Sequence, residues 1–258
     1  MTLEADFKAL LVEATSSVDD DDAYWAAARR LLDSDAEQVW ALVSPLALDG
    51  DARLRALVPD VLRPLVALRT RTVPLLRQLS AGETEARVLA AIGEAFNELG
   101  GGDGLDVLES LLRHPELEVR RSAVPPLTWW MPEVAPRLIT LSADDDDEIR
   151  NWATFNLAAH EPFLDTPEVR EALAARLQDR HGETRAEAVL GLAVRGDRRC
   201  IPVIAAELEQ GPAWDHYVEA SEFLPDVRFV TGLERVLAEG TLRYDAREAL
   251  ARCRALAS

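Results

Sequence analysis

Two runs of aspartate, at residues 19–22 and 144–147, are the first places where residue type and spacing suggest chemistry. A calcium loop needs alternating ligands, a glycine at its sixth position and a closing glutamate. Neither run supplies them. Each directly precedes an apolar-periodic segment, so both are predicted to cap helices and complement their positive ends. The glycine cluster at residues 100–104 follows a helical segment, and no Gly-Lys-Ser/Thr succeeds it. It is read as a helix stop and linker rather than a phosphate cradle. His114, His160, His181 and His216, with Cys200 and Cys253, fall in no metal-ligand spacing and no nucleophile–base context. Among 46 acidic residues, chance pairs at helical spacing are expected, and none is marked as a general acid. The expectation is therefore no catalytic residue, no metal and no cofactor.

The aromatic residues carry more. Trp129, Trp130, Trp152 and Phe155 are close in sequence, and the last two lie two and five residues past Arg150, on one face of a helix. The matching positions in neighbouring segments are Leu89 and Ile92, Ser122 and Pro125, and Glu187 and Leu190. That column is mixed, whereas Ala90, Ala123, Ala153 and Ala188 form a uniform one. A mixed column points to partial exposure, and exposed aromatics anchor partners. The competing reading is that they fill space between paired helices. Asn151, Thr154 and Asn156 would add polar contacts, so the candidate partner-binding set is Trp129, Trp130, Asn151, Trp152, Thr154, Phe155 and Asn156. The segment Trp214-Asp-His-Tyr217 departs from the surrounding pattern and is a further surface candidate.

The elements that must position these residues are helices. Runs of alternating β-branched residues are nearly absent, and apolar residues recur at spacings of three and four. A pattern of acid, one residue, arginine, two residues, alanine recurs as Asp51-x-Arg53-x-x-Ala56, Glu85-x-Arg87-x-x-Ala90, Glu118-x-Arg120-x-x-Ala123, Glu148-x-Arg150-x-x-Ala153 and Glu183-x-Arg185-x-x-Ala188. The arginine intervals are 34, 33, 30 and 35 residues, the mark of a helical solenoid. A degraded sixth copy puts His216 in the arginine slot, and Arg243-x-x-Ala246 is a candidate seventh. An amphipathic helix precedes each copy, with Pro74, Pro132, Pro167 and Pro202 at or near its start, where the missing N–H is harmless. Each repeat is thus two helices and a turn. Pro125-Pro126 should end the second helix of the third repeat early, displacing Trp129 and Trp130. Segments 2–15 and 22–33 read as helices outside the register, so residues 1–35 are expected to cap one continuous repeat domain, 36–256, of about six to seven repeats.

The acid-x-Arg-x-x-Ala helix start, preceded by aspartates, resembles the bacterial HEAT repeats of the short, phycobilisome-lyase type. The fullest copies are ADDDDEIRNWATFNLA and RHGETRAEAVLGLAVRGDRRCIPVI. The resemblance implies an all-α fold, a right-handed α-solenoid (superhelix) of stacked, armadillo-like helix-turn-helix repeats. It also implies an inter-repeat structural task for Arg53, Arg87, Arg120, Arg150 and Arg185, each bonding acidic and backbone groups of adjacent repeats. The period alone also suits tetratricopeptide and ankyrin repeats, whose signatures are missing. HEAT-like deoxyhypusine hydroxylases hold iron through several His-Glu dipeptides, and here His160-Glu161 stands alone.

Charge bounds the function. Acids exceed bases by 46 − 28 = 18, and Lys8 is the sole lysine, so 27 of 28 basic residues are arginine. Such a chain is repelled by nucleic-acid backbones and anionic membranes. No signal peptide or membrane span is predicted, and a cytoplasmic monomer is expected. The leading reading is a non-enzymatic scaffold or adaptor that binds a protein partner of basic character through an acidic solenoid surface, with no nucleic acid and no membrane as partner. Two alternatives stay open: a HEAT-like DNA glycosylase of the alkylpurine type, using the arginines with Trp129 and Trp152, and a bilin lyase or chaperone-type subunit.

Overall fold

The computed structural model describes residues 3–16, 21–127, 132–159, 164–210, 215–240 and 245–256, and among these there are helices and turns but no strand. The chain divides into two compact units, Met1–Leu127 and Thr128–Ser258.

The first unit holds α1 (Leu3–Thr15), α2 (Asp21–Leu32), α3 (Ala36–Val43), α4 (Ala52–Leu62), α5 (Arg69–Ser80), α6 (Ala86–Leu99), α7 (Leu105–Leu111) and α8 (Leu117–Ser122). From α3 onward α3/α4 and α5/α6 form two-helix hairpins, α7 packs on α6, and the helices α4, α6 and α8 stack in succession. Helices α1 and α2 pair with each other, and α1 leans on α4. The second unit holds α9 (Ala135–Leu141), α10 (Asp147–Ala158), α11 (Pro167–Ala175), α12 (Gly182–Val194), α13 (Ile201–Gln210), α14 (Asp215–Phe223), α15 (Val230–Glu239) and α16 (Arg247–Ala255). Its hairpins are α9/α10, α11/α12, α13/α14 and α15/α16, and their second helices stack in the same way.

The stacking follows from an apolar stripe that no single hairpin can bury. Val58, Ile92 and Ala123 are closed off from solvent in the first unit, and Ala153, Ala188 and Ala220 in the second. Small residues bring the second helices close. A methyl placed on Gly191 of α12 would sit 2.8 Å from Cα and Cβ of Ala158 in α10, and one on Gly93 of α6 would meet Ser122 of α8.

Local chemistry sets the boundaries. Asp35, Asp51, Asp146 and Thr166 cap α3, α4, α10 and α11, each accepting backbone N–H groups of the first turn. Pro167 is the first residue of α11, as predicted, whereas Pro74 lies inside α5, because a 3-10 turn over Val66–Leu68 leads into that helix at Arg69. Helix α8 stops at Ser122, ahead of Pro125-Pro126. Residues 100–104 are a tight turn and not a linker: Gly100 ends α6 at φ +86°, and Gly101–Gly104 form one 3-10 turn into α7. Gly104 is required there, since a Cβ would lie 2.2 Å from the buried Phe96 ring. Within the 144–147 run, Asp144 accepts the N–H of Asp146, and Asp146 that of Ile149. In the 19–22 run, Asp19 and Asp20 lie outside the described residues, and α2 begins at Asp21.

Candidate interaction face

The five motif arginines fall into two structural classes. Arg120, Arg150 and Arg185 are each the fourth residue of their helices, α8, α10 and α12. From there the guanidinium folds back over the helix start onto the carbonyls of the preceding loop. Arg120 donates to His114 and Pro115 O, Arg150 to Asp144 and Asp145 O, and Arg185 to Asp179 O. In α4 that position and those bonds belong to Arg55, which donates to Asp49 and Gly50 O. In α6 the fourth residue is Leu89. Arg53 and Arg87, the first two motif arginines, stand two residues earlier and are exposed. Arg53 bonds its own capping Asp51 and reaches Thr15 O at the end of α1. The repeat register of the first two copies is therefore shifted by two residues from the one the motif implies. For the first copy the cause is local: Asp51-x-Arg53 is also a self-contained clamp, in which one carboxylate takes both the backbone N–H and the guanidinium of the arginine. The same clamp recurs at Asp197/Arg199 and Asp226/Arg228.

The fourth-position arginine also reaches forward. Arg150 forks onto Asp179 in the next hairpin, at 2.8 and 2.9 Å, with both side chains about 5% exposed. Arg55 forks onto Glu83 in the same way, at 2.7 and 3.0 Å. Arg185 pairs with Glu207 at 3.2 Å, with Tyr217 beside it. The loop acids are doubly held, since Glu83 accepts the N–H of Glu85 and Asp179 that of His181. The Arg55 bond holds Glu83 at a pKa of about 2, below the usual carboxylate range. For Asp179, burial pushes upward, and the Arg150 fork and the His181 N–H outweigh it. The loop after Leu89 carries His114 in the place of an acid, and its Nδ1 accepts the N–H of Glu116. Arginine and acid are thus missing together.

The aromatic candidates separate by burial. Trp152 and Phe155 pack edge to face, with ring centroids 5.6 Å apart, Trp152 half-buried and Phe155 47% exposed. They lie on the same side of α10 as Glu148 and Asn151. Asn151 reaches Glu183 and Thr184 of α12, and Glu187 of α12 meets His216 of α14 at 3.1 Å. That contact raises the His216 pKa. The outcome is a continuous face on α10, α12 and α14 that presents an aromatic pair among carboxylates. Thr154 and Asn156 are buried, with the Thr154 hydroxyl donating to Arg150 O, so neither belongs to this face. Trp129, Trp130, His160 and Trp214 lie outside the described residues. Tyr217 is buried, and His216 is half-buried.

Two residues were missed by sequence reasoning. Arg195 is buried and donates to the carbonyls of Leu157 and Ala158 at the end of α10 and of Gly191 in its own helix, so one cation closes two helix C-termini. An arginine in the last turn of a helix, ahead of Gly196, is the available signal. Asp60 is buried in α4 and accepts the Tyr24 hydroxyl at 2.7 Å. Its position in mid-helix carries no motif. Among the described residues no group of acids, histidines and cysteines could hold a metal ion, and no helix is long and apolar enough to cross a membrane.

No family model matches the chain. Over 102 residues it is 33% identical to protein YibA of Escherichia coli K12, covering 40% of this chain and 36% of YibA. The aligned stretch thus spans about a third of that relative's length. The crystal structure of E. coli YibA matches with a TM-score of 0.74 at 20% identity, over 98% of this chain and 93% of that one. An engineered protein of known structure matches with a TM-score of 0.58 at 17% identity, over 97% and 77%. These likenesses establish an all-α fold of solenoid type.

Proposed function

We infer that the protein is a non-enzymatic interaction scaffold that binds a basic segment of another protein along the α10, α12 and α14 face. The observation that carries this reading is the Trp152–Phe155 pair, half in solvent and set between Glu148 and the carboxylates of α12. Exposed aromatics supply apolar contact area at low entropic cost, and surrounding acids steer a cationic partner and make association salt-dependent. The fourth-position arginines do not favour the glycosylase alternative. Arg55, Arg150 and Arg185 are engaged by Glu83, Asp179 and Glu207, which leaves no strip of uncommitted guanidinium groups from these three for phosphates.

The test is capture on tagged wild-type and Phe155→Ala protein from the native host, at 50 and 500 mM NaCl. A stoichiometric basic protein should be retained at low salt, released at high salt and lost from Phe155→Ala, while the melting temperature of the variant stays within about 2 °C of wild type. A partner held equally by both proteins, or no stoichiometric partner, overturns the reading.

A further inference from the structure

A second feature concerns how the first unit covers its own acidic column. Five residues past the fourth helix position lie Asp60 in α4 (55 + 5), Glu94 in α6 (89 + 5) and Phe155 in α10 (150 + 5). Glu94 and Phe155 are exposed, whereas Asp60 is 8% exposed. Part of its cover comes from α2, through the Tyr24 side chain. The Tyr24 hydroxyl donates to Asp60 Oδ2, and the neighbouring Trp25 ring lies under the Arg63 guanidinium at 5.1 Å. A carboxyl is thus buried at a position that is exposed in α6 and α10 and holds the buried Leu190 in α12, and the Tyr24 side chain of α2 reaches over it.

The groups around Asp60 make that cover conditional. Tyr24 of α2 bonds it, and the charges of Arg63, just past its own helix, and of Arg87 and Glu94 in α6 act on it. Arg63 is already engaged, bonded to Glu94 at 2.8 Å and Glu98 at 3.2 Å and stacked on Trp25. Burial is the largest influence on the carboxyl and holds its pKa at about 6, with Glu94 adding to the rise and the Tyr24 hydroxyl, Arg63 and Arg87 opposing it. The neutral acid fits beneath α2 without penalty. The carboxylate does not, and it is relieved by letting water in.

We propose that α2 is a strap whose hold on the first hairpin is set by protonation of Asp60, closed over the neutral carboxyl and loosened over the carboxylate, so that Asp60 opens to solvent as pH rises. This proposal stands apart from the scaffold reading, because it concerns the first unit and needs no partner.

Hydrogen–deuterium exchange of the full chain, followed by mass spectrometry and corrected for intrinsic rates, tests it. Protection of the peptide covering α2 should fall about tenfold between pH 5 and pH 8. Peptides from α10 should not follow it. Asp60→Asn keeps an acceptor for Tyr24 without a charge, and should leave α2 protected and insensitive to pH. Tyr24→Phe should lower protection at every pH while retaining the slope. Flat protection of α2 in the wild type, a parallel fall in α10, or an Asp60→Asn slope matching the wild type each overturn the proposal.

Discussion

At the scale of single residues, the chemistry of this chain is that of the guanidinium group. Arg150 makes bonds in three directions: to its own loop carbonyls, to Asp147 and to the buried Asp179. A planar fork can do this, whereas the single ammonium of lysine cannot reproduce the bidentate pairing. Replacing Arg150 with alanine removes the bidentate partner of a buried carboxylate and leaves it the longer Arg176 contact at 3.4 Å, so stability should fall by about 3 kcal/mol in urea titrations. Arg87→Ala, on the exposed side of α6, should stay within about 0.5 kcal/mol. The signs of pH dependence differ between sites. Glu83 has a depressed pKa, about 2 against an ordinary 4.5, so its contribution is complete above pH 4.5 and disappears as pH falls through 2. Asp60 has a raised one, so its contribution is complete below pH 3.8 and is lost as pH rises through about 6. Asp60→Asn should therefore stabilise the protein at pH 7.5, by up to about 3 kcal/mol, and change little at pH 4. Paired urea titrations at the two pH values measure the difference.

At the scale of elements, two repeats are tied to the next by a pair of positions, an arginine at the helix start and an acid in the loop of the following hairpin. Arg55 with Glu83 and Arg150 with Asp179 fill both, and Leu89 with His114 fills neither polar role. Leu89 is 5% exposed, so Leu89→Arg alone buries a cation and should destabilise. Adding His114→Asp supplies its counter-ion, and the double variant should recover at least about 1 kcal/mol of that loss in a double-mutant cycle. Close approach of second helices is the other element-level constraint. Gly191→Ala should cost about 1–3 kcal/mol against Ala158, whereas Gly82→Ala, with no atom within 4 Å of the added methyl, should not. Helix type and the repeat were legible in sequence because apolar periodicity and the third to fifth motif copies report tertiary packing directly. The register of the first copy was not legible, since Asp51-x-Arg53 satisfies a local clamp that mimics the motif, and in the second copy Leu89 stands where the fourth-position arginine would be. Half of the candidate face was legible. Trp152 and Phe155 stand out by type, but Thr154 and Asn156 are a third of a turn away and face inward, which residue type does not disclose. Asp60 was invisible because its partner, Tyr24, lies 36 residues away in a helix outside the repeat.

At the scale of the whole molecule, two electrostatic effects compete. Many ion pairs link residues 27–35 apart, as in Arg63–Glu94, Arg71–Glu37, Arg77–Asp106 and Arg199–Glu171. Most have at least one partner well exposed, so each contributes at most about 1 kcal/mol and weakens with salt. Against them stands a net charge of −18, whose self-repulsion salt relieves. The screening length shrinks from about 30 Å at 0.01 M to about 8 Å at 0.15 M. Repulsion among distant carboxylates is removed over that range, whereas a pair near 2.8 Å apart is well inside either length. Stability should therefore rise between 10 and 150 mM NaCl, read as an increase of a few degrees in melting temperature at pH 7.5. The rise should be steeper for an Arg→Gln substitution at an exposed arginine such as Arg180, which makes the net charge one unit more negative. A melting temperature that falls with salt would mean that the inter-repeat ion pairs, and not the surplus of carboxylates, dominate the electrostatics of the fold.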